Sequence, residues 1–229
     1  MPNWCSCELD ISGPVQELDR FMKISTSVED NGEPRVFSFM GSFPCPGELF
    51  KYTSPPRAQH GETELDYQNR VDRLMELYGC ADWYTWCCNN WGTKWDACSP
   101  YVDWEMGENH AIIGFETAWA PPVDWLRNIS HDFPELTFSL SYSEEGCAFE
   151  GDFIIKNEEI IADDCRDIIY YEIQDDEGEY IEMCRDKSEA LRWAEEHVTS
   201  KRYRYVVVKC GEETIAEFGT KEKISDFNF

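Results

Sequence analysis

Between Trp83 and Trp104 the chain carries Trp83, Tyr84, Trp86, Trp91, Trp95, Tyr101 and Trp104, more large rings than a surface loop can hold. Each such ring buries roughly 150–250 Å² when packed, so much of this segment has to fold into a core. The chain is long enough to build one: 229 residues, 42% of them apolar and 14% aromatic, fit one large domain or two small ones. The same aromatic content separates it from disordered acidic chains, which bury too little apolar surface to offset the entropy of ordering.

Periodicity places elements on either side. Trp4 to Ile11 alternates apolar and polar residues, a strand, and Ser12-Gly13-Pro14 breaks it before Val15, Leu18, Phe21 and Met22 recur at helical spacing. From Ser25 to His60 Gly and Pro are dense, which predicts mainly loop with a short element near Val36 to Phe39. A second helix is expected from Glu62 to Tyr78, with Leu65, Val71, Leu74, Met75 and Tyr78 on one face and Gly79 as its stop. Strand patterns follow at Ala111 to Trp119, Leu136 to Tyr142 and Ala148 to Lys156, with a short helix after Pro121-Pro122. This alternation suits an α+β fold, an antiparallel sheet with helices on one face, over residues 1–160 with an insertion at 25–80. After Asp163-Asp164 a small ββαββ module is expected over 165–229. Its strands are near Ile168 to Ile173, Tyr180 to Cys184, Tyr203 to Lys209 and Thr214 to Phe218, and its helix is Ser188 to His197.

Charge bounds the partners. Forty-six acidic and 20 basic side chains leave a formal net charge of -26, which opposes direct binding to nucleic acid or to an anionic membrane. No stretch is long and apolar enough to span a bilayer and no export signal is apparent, so a cytoplasmic protein is expected. The acid concentrates between Glu144 and Asp186, where only Lys156, Arg166 and Arg185 oppose it. Alternate strand residues lie about 6.5 Å apart on one face, so pairs such as Glu150 and Asp152 or Glu177 and Glu179 can form carboxylate rows that imitate a phosphate backbone. Asp163, Asp164, Asp175, Asp176, Glu177, Glu179 and Glu182 are therefore the candidate contacts for a basic protein surface. Lys201, Arg202 and Arg204 make a basic cluster too small to suggest nucleic-acid binding.

Catalytic signatures are sparse. His60, His110, His131 and His197 form no triad or H-E-x-x-H pattern, and neither a Walker phosphate loop nor a G-x-G-x-x-G turn is present. No catalytic residue and no cofactor are assigned. The 11 cysteines suit a reduced protein; Cys5, Cys7, Cys87, Cys88 and Cys98 lack the usual C-x2-C spacing of a zinc site, and no metal is assigned. Asn90, Trp91, Thr93, Lys94, Trp95 and Asp96 have two readings. They line a ligand pocket at a tight glycine turn after a strand, or the indoles fill the core while Asn90 and Asp96 satisfy backbone groups and Lys94 pairs with a carboxylate.

Several motifs stand in a recognisable order: Asn3-Trp4-Cys5-Ser6, Pro44-x-Pro46-x-Glu48-Leu49, Asn90 through Asp96, Phe115-Glu116-Thr117-Ala118-Trp119-x-Pro121-Pro122, Phe133-Pro134, Tyr142, Glu145-Gly146 and Phe149-x-Gly151. Over residues 1–155 the chain resembles the YubB-like ferredoxin-like family carried by phages, plasmids and bacteria. Cys7 departs from the family's usual Asn. The resemblance implies a ferredoxin-like topology, with Trp4, Trp91, Trp95 and Trp119 largely buried, and a mobile-element setting. It implies no activity, since that fold hosts many functions. The resulting expectation is a non-enzymatic acidic binding module, an inhibitor of a basic host protein that mimics nucleic acid. The alternative is a small-molecule or nucleotide binder or enzyme at the tryptophan-rich turn.

Overall fold

The structure, a computed structural model, describes residues 3–28, 32–200, 202–203 and 205–219, so Lys201 and Arg204 of the basic cluster lie outside the described residues. Two compact units divide the chain at 166/167.

The first unit is built on a six-stranded antiparallel sheet in the order β4-β5-β1-β6-β7-β8. Its strands are β1 (Trp4–Ser12), β4 (Cys98–Asp103), β5 (His110–Ala118), β6 (Thr137–Glu144), β7 (Phe149–Lys156) and β8 (Glu159–Asp167). With α1 (Val15–Ile24) after β1 and α5 (Val123–Asp132) after β5, the series β1-α1-β4-β5-α5-β6 is a ferredoxin-like βαββαβ, to which β7 and β8 are added at one edge. The alternation of β1 sends Cys5, Cys7, Leu9 and Ile11 inward, where they meet Leu18, Phe21 and Met22 of α1 and Trp125, Leu126 and Ile129 of α5. Phe21 is the hub, with Phe133 at 5.3 Å and Phe138 at 5.4 Å between ring centroids. Each such side chain, fully buried, contributes about 1.5–3 kcal/mol.

Between α1 and β4 lie a two-residue hairpin of β2 (Ser27–Val28) and β3 (Pro34–Arg35), the short helix α2 (Phe39–Ser42), a 3-10 turn at Leu49–Lys51, α3 (Glu64–Tyr78) and α4 (Trp83–Trp91). Thr63 and Asp66 cap α3 reciprocally and Gly79 ends it at φ 72°. Only Val71, Leu74 and Tyr78 of its expected face pack; Leu65 and Met75 are exposed. The segment before Gly92 is a helix rather than the expected strand. Asp82 accepts the Thr85 N–H at its start, and Gly92, at φ 82°, closes its end.

The second unit runs β9 (Tyr171–Gln174), β10 (Tyr180–Cys184), α6 (Lys187–Thr199), β11 (Tyr205–Cys210) and β12 (Glu213–Gly219), a ββαββ unit with sheet order β10-β9-β11-β12. Its own core consists of Ile173, Cys184, Ala190, Ala194, Val206 and Val208. Among the described residues no helix is long and apolar enough to cross a membrane.

Candidate functional site

Because α1 and α5 cover one face of the large sheet, the opposite face is formed by the other parity of every strand. On β1 that parity is Trp4, Ser6, Glu8, Asp10 and Ser12. Strand register extends it into rows: Glu116, Ser6, Ser143 and Glu150 in one, Gly114, Glu8, Ser141 and Asp152 in the next. Adjacent strands lie about 4.8 Å apart, so the first row separates its two carboxylates by three strand spacings, about 14 Å. Gly114 is required where it stands, since a Cβ there would run into the ring of Tyr101, whose hydroxyl lies 3.5 Å from Glu8 Oε2. Ser141 donates to Asp152 at 2.7 Å and His110 pairs with Asp10 at 2.9 Å. Three adjoining depressions of about 300, 520 and 360 Å³ share Ser6 and open on this face.

One guanidinium already occupies it. Arg166 places Nε 3.0 Å from Glu150, and its NH1 lies 2.6 Å from Asp164 and 3.5 Å from Asp152. Hydrogen bonds to Asp164 and Glu150 push the Arg166 pKa up, so it is fully charged at any working pH. Glu150 and Asp152 do share a face, as their alternation requires. Asp163 lies 3.5 Å from Arg127. Thus Asp163 and Asp164, two of the seven candidate contacts, carry intramolecular arginine partners.

Two features of the acidic stretch differ from expectation. Glu144 is only 1% exposed, its carboxylate accepting the backbone N–H groups of Gly146 and Cys147 in the turn after β6. That hydrogen-bonding carboxylate, beside the Cys147 thiol, pushes the thiol's pKa up. Glu177 and Glu179 stand in the turn between β9 and β10, not on a strand, so they form no strand-borne row. Asp175 organises that turn, accepting the N–H groups of Glu177 at 3.0 Å and Glu179 at 2.9 Å. Asp176, Glu177, Glu179 and Glu182 are exposed.

The residues from Asn90 to Asp96 take up separate tasks. Trp91 is buried, its indole N–H donating to Phe43 O at 2.9 Å. Asn90 donates to Trp86 O and accepts from Asn128, tying α4 to α5. Thr93 is buried and donates to Ala118 O, while the Asp96 carboxylate accepts from Ser38 Oγ and the Phe39 N–H and so fixes the start of α2. Lys94 and Trp95 alone of the six turn toward the open end. Lys94 pairs with an indole face in place of the expected carboxylate, its Nζ 4.0 Å from the Trp95 centroid. Trp4 is half-buried, whereas Trp95 and Trp119 are 39% and 46% exposed, contrary to the expected burial. Trp95 precedes β4 and Trp119 follows β5, so both lie just outside the sheet's strands.

Cys5 and Cys7 point into the core, and Cys87 is buried beside Cys45. Burial pushes the Cys7 thiol up, and the hydrogen bond with Cys45, then burial, does the same to Cys87. Among the described residues no group of three or more His, Cys, Asp or Glu side chains is arranged to hold a metal ion. Ser6, Glu8, Tyr101, Glu116, Ser141 and Ser143 are absent from the candidate contacts read from sequence, and Trp119 was expected in the core. The polar parity of Ser6, Glu8, Asp10 and Ser12 was the available signal.

Residues 91–183, less than half of the chain, match the family described as the ferredoxin-like domain in Api92-like protein. A crystal structure of a protein api92 from Yersinia pseudotuberculosis is similar at 10% identity and TM-score 0.44, covering 73% of this chain and 98% of its own. No curated protein matches the sequence.

Proposed function

We propose that the chain is a non-catalytic binding module whose open sheet face receives a basic surface of another protein. The observation that carries this reading is Arg166, whose guanidinium rests against Glu150, Asp152 and Asp164 on that face. A protein's own arginine there is a local stand-in for a partner's arginine. Glu8 and Glu116 continue the carboxylates across β1 and β5 beside the serines. In the finer form of the proposal the chain is a YubB-like protein of a phage or mobile element, acting in the host cytoplasm as an inhibitor that mimics nucleic acid. The exposed Asp176, Glu177, Glu179 and Glu182 then add long-range attraction that raises the association rate more than the affinity.

Affinity purification from a host lysate at low and high salt tests it, with Glu8→Lys/Glu116→Lys as the comparison chain. A specific basic protein should be retained at low salt, released at high salt and lost from the double variant. Retention that ignores both salt and the reversal sinks the proposal.

A further inference from the structure

At the first residue of β1 the open face passes into a group of indoles around one lysine, Trp4 still lining a depression with Glu116 and Glu145. Trp119, the residue after β5, has φ of 75°, a left-handed conformation that a bulky side chain adopts only under constraint. The constraint is visible. Trp119 N donates to Asn3 O at 3.0 Å, Thr93 Oγ1 donates to Ala118 O at 2.9 Å, and Thr117 Oγ1 donates to Ala120 O at 2.8 Å. This fixed backbone leaves the indole 46% exposed, part of it packed and the rest open to solvent. Strain held in place by its surroundings concentrates where a ligand or a reaction uses it.

Lys94 stands between this indole and the next. Its Nζ is 4.0 Å from the Trp95 centroid and 5.8 Å from that of Trp119, and Trp4 flanks the group with its ring 6.0 Å from Trp95. In a chain with 46 acidic side chains, this ammonium makes no ion pair among the described residues. A second cation approaching the indoles would meet it and be repelled. A ligand that suits the arrangement brings a negative charge to the ammonium and a flat ring to the exposed indole surface.

We propose that Lys94, Trp95 and Trp119 form a binding site for small planar aromatic anions of the nucleoside monophosphate class, the ring stacking on indole and the phosphate pairing with Lys94. A polynucleotide is disfavoured, because many phosphates would meet the chain's net charge of -26. A single phosphate at Lys94 feels that charge only within a Debye length, about 8 Å at physiological ionic strength. This proposal is independent of the acidic-face reading, and Glu8→Lys/Glu116→Lys should leave the site in place.

Calorimetric titration at physiological ionic strength with adenosine monophosphate, adenosine and ribose 5-phosphate tests it. The monophosphate should bind, adenosine should bind about tenfold more weakly, and ribose 5-phosphate should give no signal. Trp119→Gly, which keeps the left-handed backbone accessible, and Trp95→Ala should each weaken the monophosphate about tenfold to a hundredfold. Lys94→Met should abolish the preference for monophosphate over adenosine. Should the tryptophan variants lose their native circular dichroism, Lys94→Met decides the matter alone, since Met keeps the unbranched apolar stem and removes the charge. The proposal is overturned if the monophosphate gives no heat at millimolar concentration or binds all variants equally. Argininamide binding more tightly than the monophosphate, and more tightly still to Lys94→Met, would equally overturn it and make the site one for cations.

Discussion

The guanidinium of Arg70 grips the carboxylate of Glu62 with two parallel hydrogen bonds, Nε to Oε1 and NH2 to Oε2, both 2.8 Å. Arg70 also lies 4.3 Å from the Tyr52 ring centroid and donates to Arg57 O, so one side chain ties the loop before α3 to the helix. With the hydrogen bonds from Arg70 and the Gln59 N–H, the Glu62 pKa falls to about 2. The folded value lies below the ordinary one, near 4.3, so the pair stabilises the fold fully above that value and its contribution fades as pH falls toward about 2. Glu62→Gln should lower the thermal midpoint by a few degrees at neutral pH, the gap to wild type closing between about pH 5 and pH 2. A gap that is constant over that range would show that the ion pair is not its source.

How far the fold can be read from sequence varies with how each residue is used. β1 and α1 were legible because one face of each is buried and the other wet, so their periods survive in the sequence. β4 was hidden by Pro100 and by Ser99 at φ 46°, a break in the ladder tolerated because β4 is an edge strand. β8 was hidden differently. Asn157 and Glu158, at φ 48° and 62°, make the two-residue turn into it without the usual glycine, and an exposed edge strand shows no apolar alternation. In α4 the aromatic residues favour strands by propensity, and only Asp82 and Gly92 at its ends mark it as a helix. For the candidate site, the carboxylates of β7 followed from period alone. The burial of Glu144 and the outward indole of Trp119 depend on turn geometry that spacing does not encode.

Gly114 and Tyr101 are coupled across β5 and β4, the ring occupying the space where a Cβ would project. Gly114→Ala should destabilise by about 1–3 kcal/mol, the usual range for overpacking. Tyr101→Ser should recover most of that loss in the double variant. Denaturant unfolding of all four proteins gives the coupling energy, and strictly additive effects would refute the contact.

Thiol reactivity should follow burial. Cys147 and Cys165 are exposed, while Cys5, Cys7, Cys45, Cys80, Cys87 and Cys184 are buried. Alkylation of the native protein at pH 8 should modify Cys165 first. Cys147 should follow more slowly, because the hydrogen bond to Glu144 holds its proton and the thiolate is the nucleophile. All 11 cysteines should react in denaturant. Early labelling of Cys7 or Cys87 on mass-spectrometric mapping would contradict the core described above.

The β9–β10 turn separates electrostatic from structural use of acid within five residues. Asp175 accepts two backbone N–H groups there and also donates its own N–H to Glu179 O at 3.0 Å, whereas Asp176, Glu177 and Glu179 are exposed. Reversing Asp175 with the others would confound loss of charge with loss of the turn. Asp175→Ala alone should cost about 1 kcal/mol of stability in the second unit, as expected for a lost backbone-capping acceptor. The triple reversal Asp176→Lys/Glu177→Lys/Glu179→Lys should leave the thermal midpoint nearly unchanged, because the three carboxylates are exposed and make no ion pair among the described residues. If these three carboxylates attract a basic partner, the triple variant should slow its association severalfold at low salt with little change in dissociation, and the difference should vanish at high salt. Stopped-flow binding with whichever protein the Glu8→Lys/Glu116→Lys comparison identifies provides the measurement. An association rate untouched by the triple reversal would confine the acidic contacts to the open sheet face.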